Sequence, residues 1–117
     1  MDKEVGADKA PWLTNVGLAV ASIEYRVSNE AIFPAQIQDC KAALRWLRAH
    51  ADELHLDAEH VGVWGESAGG HLVELLGSTT GVTAFENDGI CPDQPTDVCA
   101  VCAFYGPSDL TTMPVAA

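Results

Sequence analysis

The sequence has no lysine or arginine after Arg48, although 69 of its 117 residues lie beyond that point. All six basic side chains fall in the first 48 residues, where six acidic ones balance them, and the remaining 69 residues carry eleven acidic side chains. The net charge of −11 therefore belongs to the second part, whose field repels phosphate backbones and anionic membranes. We expect no nucleic-acid and no membrane partner. Two interpretations stay open: a solvated acidic surface, or a larger domain that supplies a basic neighbour.

Long apolar runs are also lacking. No run approaches the length that crosses a bilayer, and the segment from Met1 to Glu4 lacks the apolar stretch of a secretion signal. We therefore expect a soluble, cytoplasmic chain. With 48% hydrophobic and 20% charged residues, 117 residues suit one globular domain, residues 1–117.

The cysteines and histidines show no spacing typical of a metal site. Cys99 and Cys102 lie three apart in a predicted strand, so they point to opposite faces and do not share a metal. His50, His55 and His60 recur every five residues, which does not align them on a helix. We expect no metal and no cofactor, and buried free thiols, with Cys91 close enough along the chain to approach one of them.

Hydrophobic periodicity predicts an α/β fold in β-α-β-α-β order with a mostly parallel sheet. After a lead-in over residues 1–15, the predicted strands are Leu18 to Tyr25, Val61 to Trp64 and Val98 to Tyr105. The first helix runs from Pro34 to about Ala51, and its apolar stripe is formed by Ile37, Cys40, Leu44 and Leu47. A second helix ends near Gly77, and residues 52–60 and 78–97 read as a charged loop and a long acidic loop.

The most informative segment is Gly65-Glu66-Ser67-Ala68-Gly69, which lies between a predicted strand and a predicted helix. A serine on a sharp strand-to-helix turn is pushed clear of the sheet, and small residues two positions before and after it let the backbone turn. The free N–H groups of the helix start lie beside Ser67 Oγ, where they stabilise a developing oxyanion. The pattern indicates a hydrolase.

Four segments resemble, in order and spacing, the esterase and lipase branch of the α/β-hydrolase superfamily, including hormone-sensitive-lipase-like and feruloyl-esterase-like enzymes. They are Val20 to Arg26, Phe33 to Leu47, Val61 to Leu72 and Phe104 to Asp109. The resemblance implies that Ser67 is the acyl-accepting nucleophile and that Ala68, with Gly69 after it, contributes backbone N–H groups to the oxyanion hole. It also favours an Arg26–Asp39 pair as structural support.

The chain departs from this branch in what it lacks. The family has a His-Gly-Gly segment before its first helix, and nothing from Met1 to Val16 matches it. The family also places the triad acid after a seventh strand and the histidine after an eighth, whereas this chain ends after the sixth. A strand that the family has in mid-sheet is also missing. Either the strands at Leu18 and Val61 close up directly, or a second copy completes the sheet, and exposed strand edges favour such a homo-oligomer. We expect a partial α/β-hydrolase fold, a truncated core.

Local residues offer substitutes for the missing triad partners. His71 follows Ser67 by four residues and is the candidate base, with a structural histidine that bonds nearby backbone as the alternative. Asp109 is the candidate acid, with a turn or helix-capping residue as the alternative. Glu66 reads as a charge at the rim of the cleft.

Two functional hypotheses follow. The first is a serine carboxylesterase that forms an acyl-enzyme on Ser67 with small neutral esters. The second is a catalytically inert, self-associating fragment of an α/β-hydrolase, which keeps the motif without turnover.

Overall fold

The fold is built from four helices and a two-stranded sheet, and the computed structural model describes residues 10–86 and 89–109. Along these residues the elements are α1 (Ala10–Thr14), α2 (Ala35–Ala49), α3 (Ala51–Leu54), β1 (Gly62–Glu66), α4 (Ala68–Ser78), a 3-10 turn (Thr83–Phe85) and β2 (Ala100–Phe104). The hydrophobic core lies between α2, α4 and one face of the sheet. It contains Ile37, Cys40, Leu44, Leu72, Val73 and Leu76.

Helix α2 buries two neighbouring stripes. The apolar stripe, Ile37, Cys40 and Leu44, joins the core, as its three- and four-residue spacing predicts. The second stripe is cationic and consists of Lys41, Arg45 and Arg48, which are 0%, 1% and 9% exposed. A helix that buries three cations requires acceptors for each of them, because a buried, unpaired charge is costly.

Glu86 supplies the acceptor for the first two cations. Lys41 Nζ donates to Glu86 Oε1 at 3.0 Å and to the carbonyl of Thr79 at 2.6 Å, and Arg45 donates to Glu86 Oε2 at 2.8 Å. The hydroxyl of Thr96 donates to the same carboxylate at 2.5 Å. The long loop between α4 and β2 is therefore fixed to α2 by charge-assisted hydrogen bonds.

Arg48 connects the segments that lead into the two strands. Its guanidinium donates to the carbonyl of Ala58, before β1, at 3.1 Å, and to the carbonyls of Pro95 and Asp97, before β2, at 2.7 and 2.5 Å. One buried side chain thus holds both strand approaches at a fixed separation.

Strands β1 and β2 run parallel, with Gly62 opposite Ala100 and Glu66 opposite Phe104. Backbone hydrogen bonds continue the pairing at both ends, from the Cys99 amide to the Val61 carbonyl and from the Ser67 amide to the Phe104 carbonyl, each 2.9 Å long. Helix α4 joins β1 to the loop before β2 and packs on both strands. The β1-α4-β2 part of the predicted order is confirmed.

The predicted strand from Leu18 to Tyr25 is wrong. The structure has no strand there, and β1 pairs with β2 and with no other described strand. Of the two arrangements that the sequence left open, direct closure of this segment on β1 is therefore not observed. An extended segment becomes a strand only where another strand accepts its hydrogen bonds, and no described strand does so. Only Ile23 and Tyr25 of this segment pack against the core. Self-association stays a prediction.

Three further expectations need correction. Each residue of β2 is exposed rather than buried, because no described element covers its outer side. Accordingly, Cys99 and Cys102 are free but exposed, whereas Cys40 is free and buried. The charged loop begins with the short helix α3, and the lead-in contains α1, whose Trp12 packs edge-on against Trp64. Over the described residues, no helix has the length and apolar character of a membrane span.

We expect Glu86→Gln to lower the free energy of unfolding by about 2–4 kcal/mol, because it removes the negative charge that buried Lys41 and Arg45 share. Urea denaturation followed by circular dichroism measures this change. Glu74→Gln, at an exposed position of α4, is the matched control and should shift stability by less than about 0.5 kcal/mol. Equal effects of the two substitutions would contradict the role of Glu86.

Acid should destabilise the fold through the same carboxylate. Partial burial alone raises the pKa of Glu86, but hydrogen bonds from Thr96 and Lys41, with the charges of Lys41 and Arg45, outweigh it and lower the pKa. Stabilisation from a lowered pKa is complete above the unfolded-state value and is lost as pH falls through the folded-state value. We expect a urea midpoint that is steady down to about pH 5 and falls below it. The fall should be shallower in Glu86→Gln, and identical pH profiles for the two proteins would contradict this assignment.

Candidate active site

Ser67 lies at the junction of β1 and α4 in a backbone conformation that few serines adopt. Its φ and ψ are 55° and −118°, and its side chain makes no hydrogen bond to the helix that it precedes. A positive φ at a non-glycine residue costs roughly 1–3 kcal/mol and persists only where surrounding structure holds it. The exposed Ser67 therefore occupies a constrained turn, as the sequence pattern predicts.

Gly65 is required by the closeness of the backbone after the turn. A Cβ atom on Gly65 would overlap the carbonyl group of Gly69 and lie 2.9 Å from the nitrogen of Gly70. At Gly69 itself an added Cβ would meet no atom within 4 Å. Of the two glycines that flank Ser67 in the motif, only Gly65 is thus sterically necessary, which corrects the expectation for Gly69.

The start of α4 supplies hydrogen-bond donors beside Ser67. The first N–H groups of a helix have no partner within it, and those of Ala68 and Gly69 belong to this set because α4 begins at Ala68. The helix dipole adds positive potential at the same end. These backbone groups can stabilise an oxyanion that forms next to Ser67.

The turn after β2 packs directly against the turn at Ser67. The Ser67 amide donates to the carbonyl of Phe104, and a Cβ on Gly70 would lie 2.8 Å from that same oxygen. A Cβ on Gly106 would come within 2.6 Å of the nitrogen of His71. Two glycines that face each other thus allow the two turns to touch.

His71, the candidate base, is bound to this second turn. Its Nδ1 lies 2.9 Å from the carbonyl oxygen of Pro107, and its Nε2 is buried without a hydrogen-bond partner. The imidazole therefore bonds neither Ser67 nor Asp109 in this structure. The alternative interpretation of His71, a structural histidine that bonds nearby backbone, describes the observed contact, and its role as a base stays a prediction.

The acidic side chains near Ser67 are exposed or partly exposed. Asp109, the candidate acid, is exposed after the second turn, and its catalytic role is not tested by its position. Glu66 is half-buried, and its carboxylate accepts a long hydrogen bond of 3.4 Å from the exposed Tyr105. Negative charge thus flanks the serine on β1.

The predicted pair between Arg26 and Asp39 is confirmed. The Arg26 guanidinium makes two contacts of 2.9 Å with the carboxylate, and the Arg26 amide donates to it at 2.8 Å. Partial burial acts to raise the pKa of Asp39, but these hydrogen bonds and the charge of Arg26 outweigh it and lower the pKa. The pair joins the segment before α2 to that helix.

Sequence reasoning missed the residues that hold the two turns together. Gly106 and Pro107 read only as the end of a strand, whereas the structure uses them to contact Gly70 and His71. The glycine pair after Ala68 was the available signal, because successive glycines at a helix start permit a close backbone neighbour.

A parallel strand, a serine on a strained turn and a helix that begins directly after that serine form the strand-turn-helix arrangement typical of an α/β-hydrolase. The chain belongs to the BD-FAE family, whose sequence profile matches residues 2–117. The resemblance derived from the sequence and the partial α/β-hydrolase fold are both confirmed.

Individual relatives agree with this assignment. The chain is 35% identical over 101 residues to the probable carboxylic ester hydrolase LipM of Mycobacterium tuberculosis, covering 86% of this chain and 23% of LipM. Among solved structures, a bifunctional GH43-CE protein of Bacteroides eggerthii is similar with a TM-score of 0.88 and 39% identity, over 93% of this chain and 16% of that one. A truncated carbohydrate esterase from gut microbiota is similar with a TM-score of 0.74 and 38% identity, over 79% of this chain and 36% of that one. The chain thus spans well under half of each relative.

The two flanking glycines should respond oppositely to alanine. Gly65→Ala places a Cβ against backbone that cannot move aside cheaply, so we expect a loss of about 3 kcal/mol in unfolding free energy. Gly69→Ala enters open space within a helix, so stability should stay constant or rise by up to about 1 kcal/mol. Thermal denaturation of both variants tests this, and equal melting temperatures would contradict the described geometry.

Proposed function

We propose that the chain carries the nucleophile of a serine carboxylesterase, with Ser67 as the acyl acceptor. The observation that carries the proposal is the strained, exposed Ser67 at the N-terminus of α4, where the N–H groups of Ala68 and Gly69 lack helical partners. Its membership in the BD-FAE family and its similarity to a probable carboxylic ester hydrolase support the same chemistry.

In the proposed reaction Ser67 Oγ attacks the ester carbonyl carbon while its proton passes to a general base. The carbonyl oxygen becomes an oxyanion that the backbone N–H groups stabilise, and the alcohol leaves with a proton as the acyl-serine forms. Water then attacks the acyl-serine, the carboxylic acid is released and the Ser67 hydroxyl is restored. His71 as base and Asp109 as acid stay predictions from the sequence.

We infer that the substrates are small neutral esters. Glu66 precedes Ser67, Asp109 is the charged residue after the adjoining turn, and no lysine or arginine follows Arg48. The negative charge of this surface would repel an anionic ester, whereas it would not repel a neutral ester. The similarity to a carbohydrate esterase supports neutral esters carried on sugars within this class.

A second candidate is a catalytically inert, self-associating chain. It is favoured by one observation: no described side chain hydrogen-bonds the imidazole Nε2 of His71, so Ser67 and His71 are not joined as nucleophile and base. The exposed apolar side chains of β2, Val101 and Phe104, suit contact with a second copy.

Labelling by a fluorophosphonate probe separates the two candidates. The probe phosphonylates an activated serine: the Oγ–P bond forms as the P–F bond breaks, and fluoride and the hydroxyl proton are released. We expect one label per chain, located at Ser67 by peptide mass spectrometry. Ser67→Ala should abolish labelling. Ser78→Ala, at the other end of α4, where the hydroxyl donates to the carbonyl of Glu74, is the matched control and should label normally. An unlabelled wild-type chain, at every concentration from dilute to associated, would contradict the esterase proposal.

A further inference from the structure

His71 presents its two ring nitrogens to two different surroundings. Nδ1 lies 2.9 Å from the carbonyl oxygen of Pro107, which is only an acceptor, so Nδ1 must carry a proton for this contact to be a hydrogen bond. Nε2 is buried without a hydrogen-bond partner. Of the two neutral tautomers of the ring, the contact therefore selects the one with its proton on Nδ1.

The segment that receives this hydrogen bond touches the Ser67 turn at both ends. At its start the carbonyl of Phe104 accepts from the Ser67 amide at 2.9 Å, and at its end the carbonyl of Pro107 accepts from His71. Between them, Gly106 lies against the backbone of Gly70 and His71. Two side chains add to these backbone contacts: His71, through its 2.9 Å contact with Pro107, and Tyr105, through its longer 3.4 Å hydrogen bond to Glu66.

Both the turn after β2 and the turn at Ser67 contain a residue with an unfavourable backbone conformation, which surrounding contacts must hold in place. Tyr105 has a φ of 41° and Ser67 a φ of 55°, so two left-handed, non-glycine residues face each other across the Phe104 hydrogen bond. Residues in this region of φ persist only when their surroundings hold them. If the turn after β2 relaxes, the Ser67 amide loses its fixed acceptor.

We propose that His71 is a positioning residue, whose Nδ1–H···Pro107 hydrogen bond holds the turn after β2 against the elbow and so keeps Ser67 and its neighbouring N–H groups in reactive geometry. The reactivity part of this inference rests on the proposed function of Ser67. A positioning role needs only a donor at the place of Nδ1, whereas a base needs a titratable nitrogen that reaches the Ser67 hydroxyl.

Amide substitutions separate the two nitrogens. The amide nitrogen of asparagine reaches the place of Nδ1, and that of glutamine reaches the place of Nε2. We expect His71→Asn to keep the maximal rate of fluorophosphonate labelling within about threefold, and His71→Ala and His71→Gln to lower it by roughly 10–100-fold. The half-saturating probe concentration should change little in any of them. His60→Ala is the matched control, because His60 is exposed and its ring bonds the side chain of Asp57 rather than the turn after β2.

A second measurement tests the contact in the unmodified chain. Two-bond ¹H–¹⁵N correlation spectra of the His71 ring should show a protonated Nδ1 and an unprotonated Nε2. The opposite tautomer would overturn the proposal. It would also be overturned if the His71→Asn variant were labelled as slowly as the His71→Ala variant, because that result is expected of a base. Absence of labelling in the wild-type chain would contradict the proposed function instead. In that case the tautomer of His71 still shows whether its Nδ1 donates to the carbonyl of Pro107.

Discussion

Burial of the cationic stripe of α2 is the constraint on which the remaining structure depends. Lys41 and Arg45 are removed from water and share the carboxylate of Glu86, and Arg48 donates to carbonyls ahead of both strands. Apart from the contact of Arg48 with Ala58, these interactions span more than 40 residues of chain, and they fix the loop that must return from the end of α4 to the start of β2. The parallel pairing of β1 and β2, and with it the close approach of the two turns at Ser67, follows from that return.

The sequence was most informative where structure is local. Both ends of helix α2 and the C-terminal end of helix α4 were predicted within two residues, because three- and four-residue spacing and glycine positions specify them. The segment from Leu18 to Tyr25 has strand composition but forms no strand, since pairing depends on a neighbour that composition does not reveal. The same limit explains β2, which was predicted correctly in position and wrongly as buried.

The candidate site divides in the same way. Ser67, Gly65 and the donors of α4 were identified from five consecutive residues, because a strand-to-helix turn imposes its own steric rules. The partners of that turn were not identified, because Gly106 and Pro107 lie more than 35 residues from Gly70 and His71 and reach them only in the folded chain. The sequence shows that its basic residues all precede its acidic second part, but it does not show why. In the structure, buried cations of the first part, Lys41 and Arg45, pair with Glu86 of the second part. The sequence left two interpretations open: a solvated acidic surface, or a basic neighbour in a larger domain. Neither describes Glu86, whose carboxylate pairs with Lys41 and Arg45 of the same chain.

The buried cationic stripe also imposes an order on how the chain acquires its structure. During synthesis α2 emerges some 40 residues before Glu86 and Asp97, so its cations must remain hydrated until the loop that carries their acceptors has been made. The apolar stripe of α2 lies beside these cations, so it cannot be fully buried in the core while the cations are still hydrated. Burial of the cationic stripe therefore depends on the second half of the chain, which carries its acceptors.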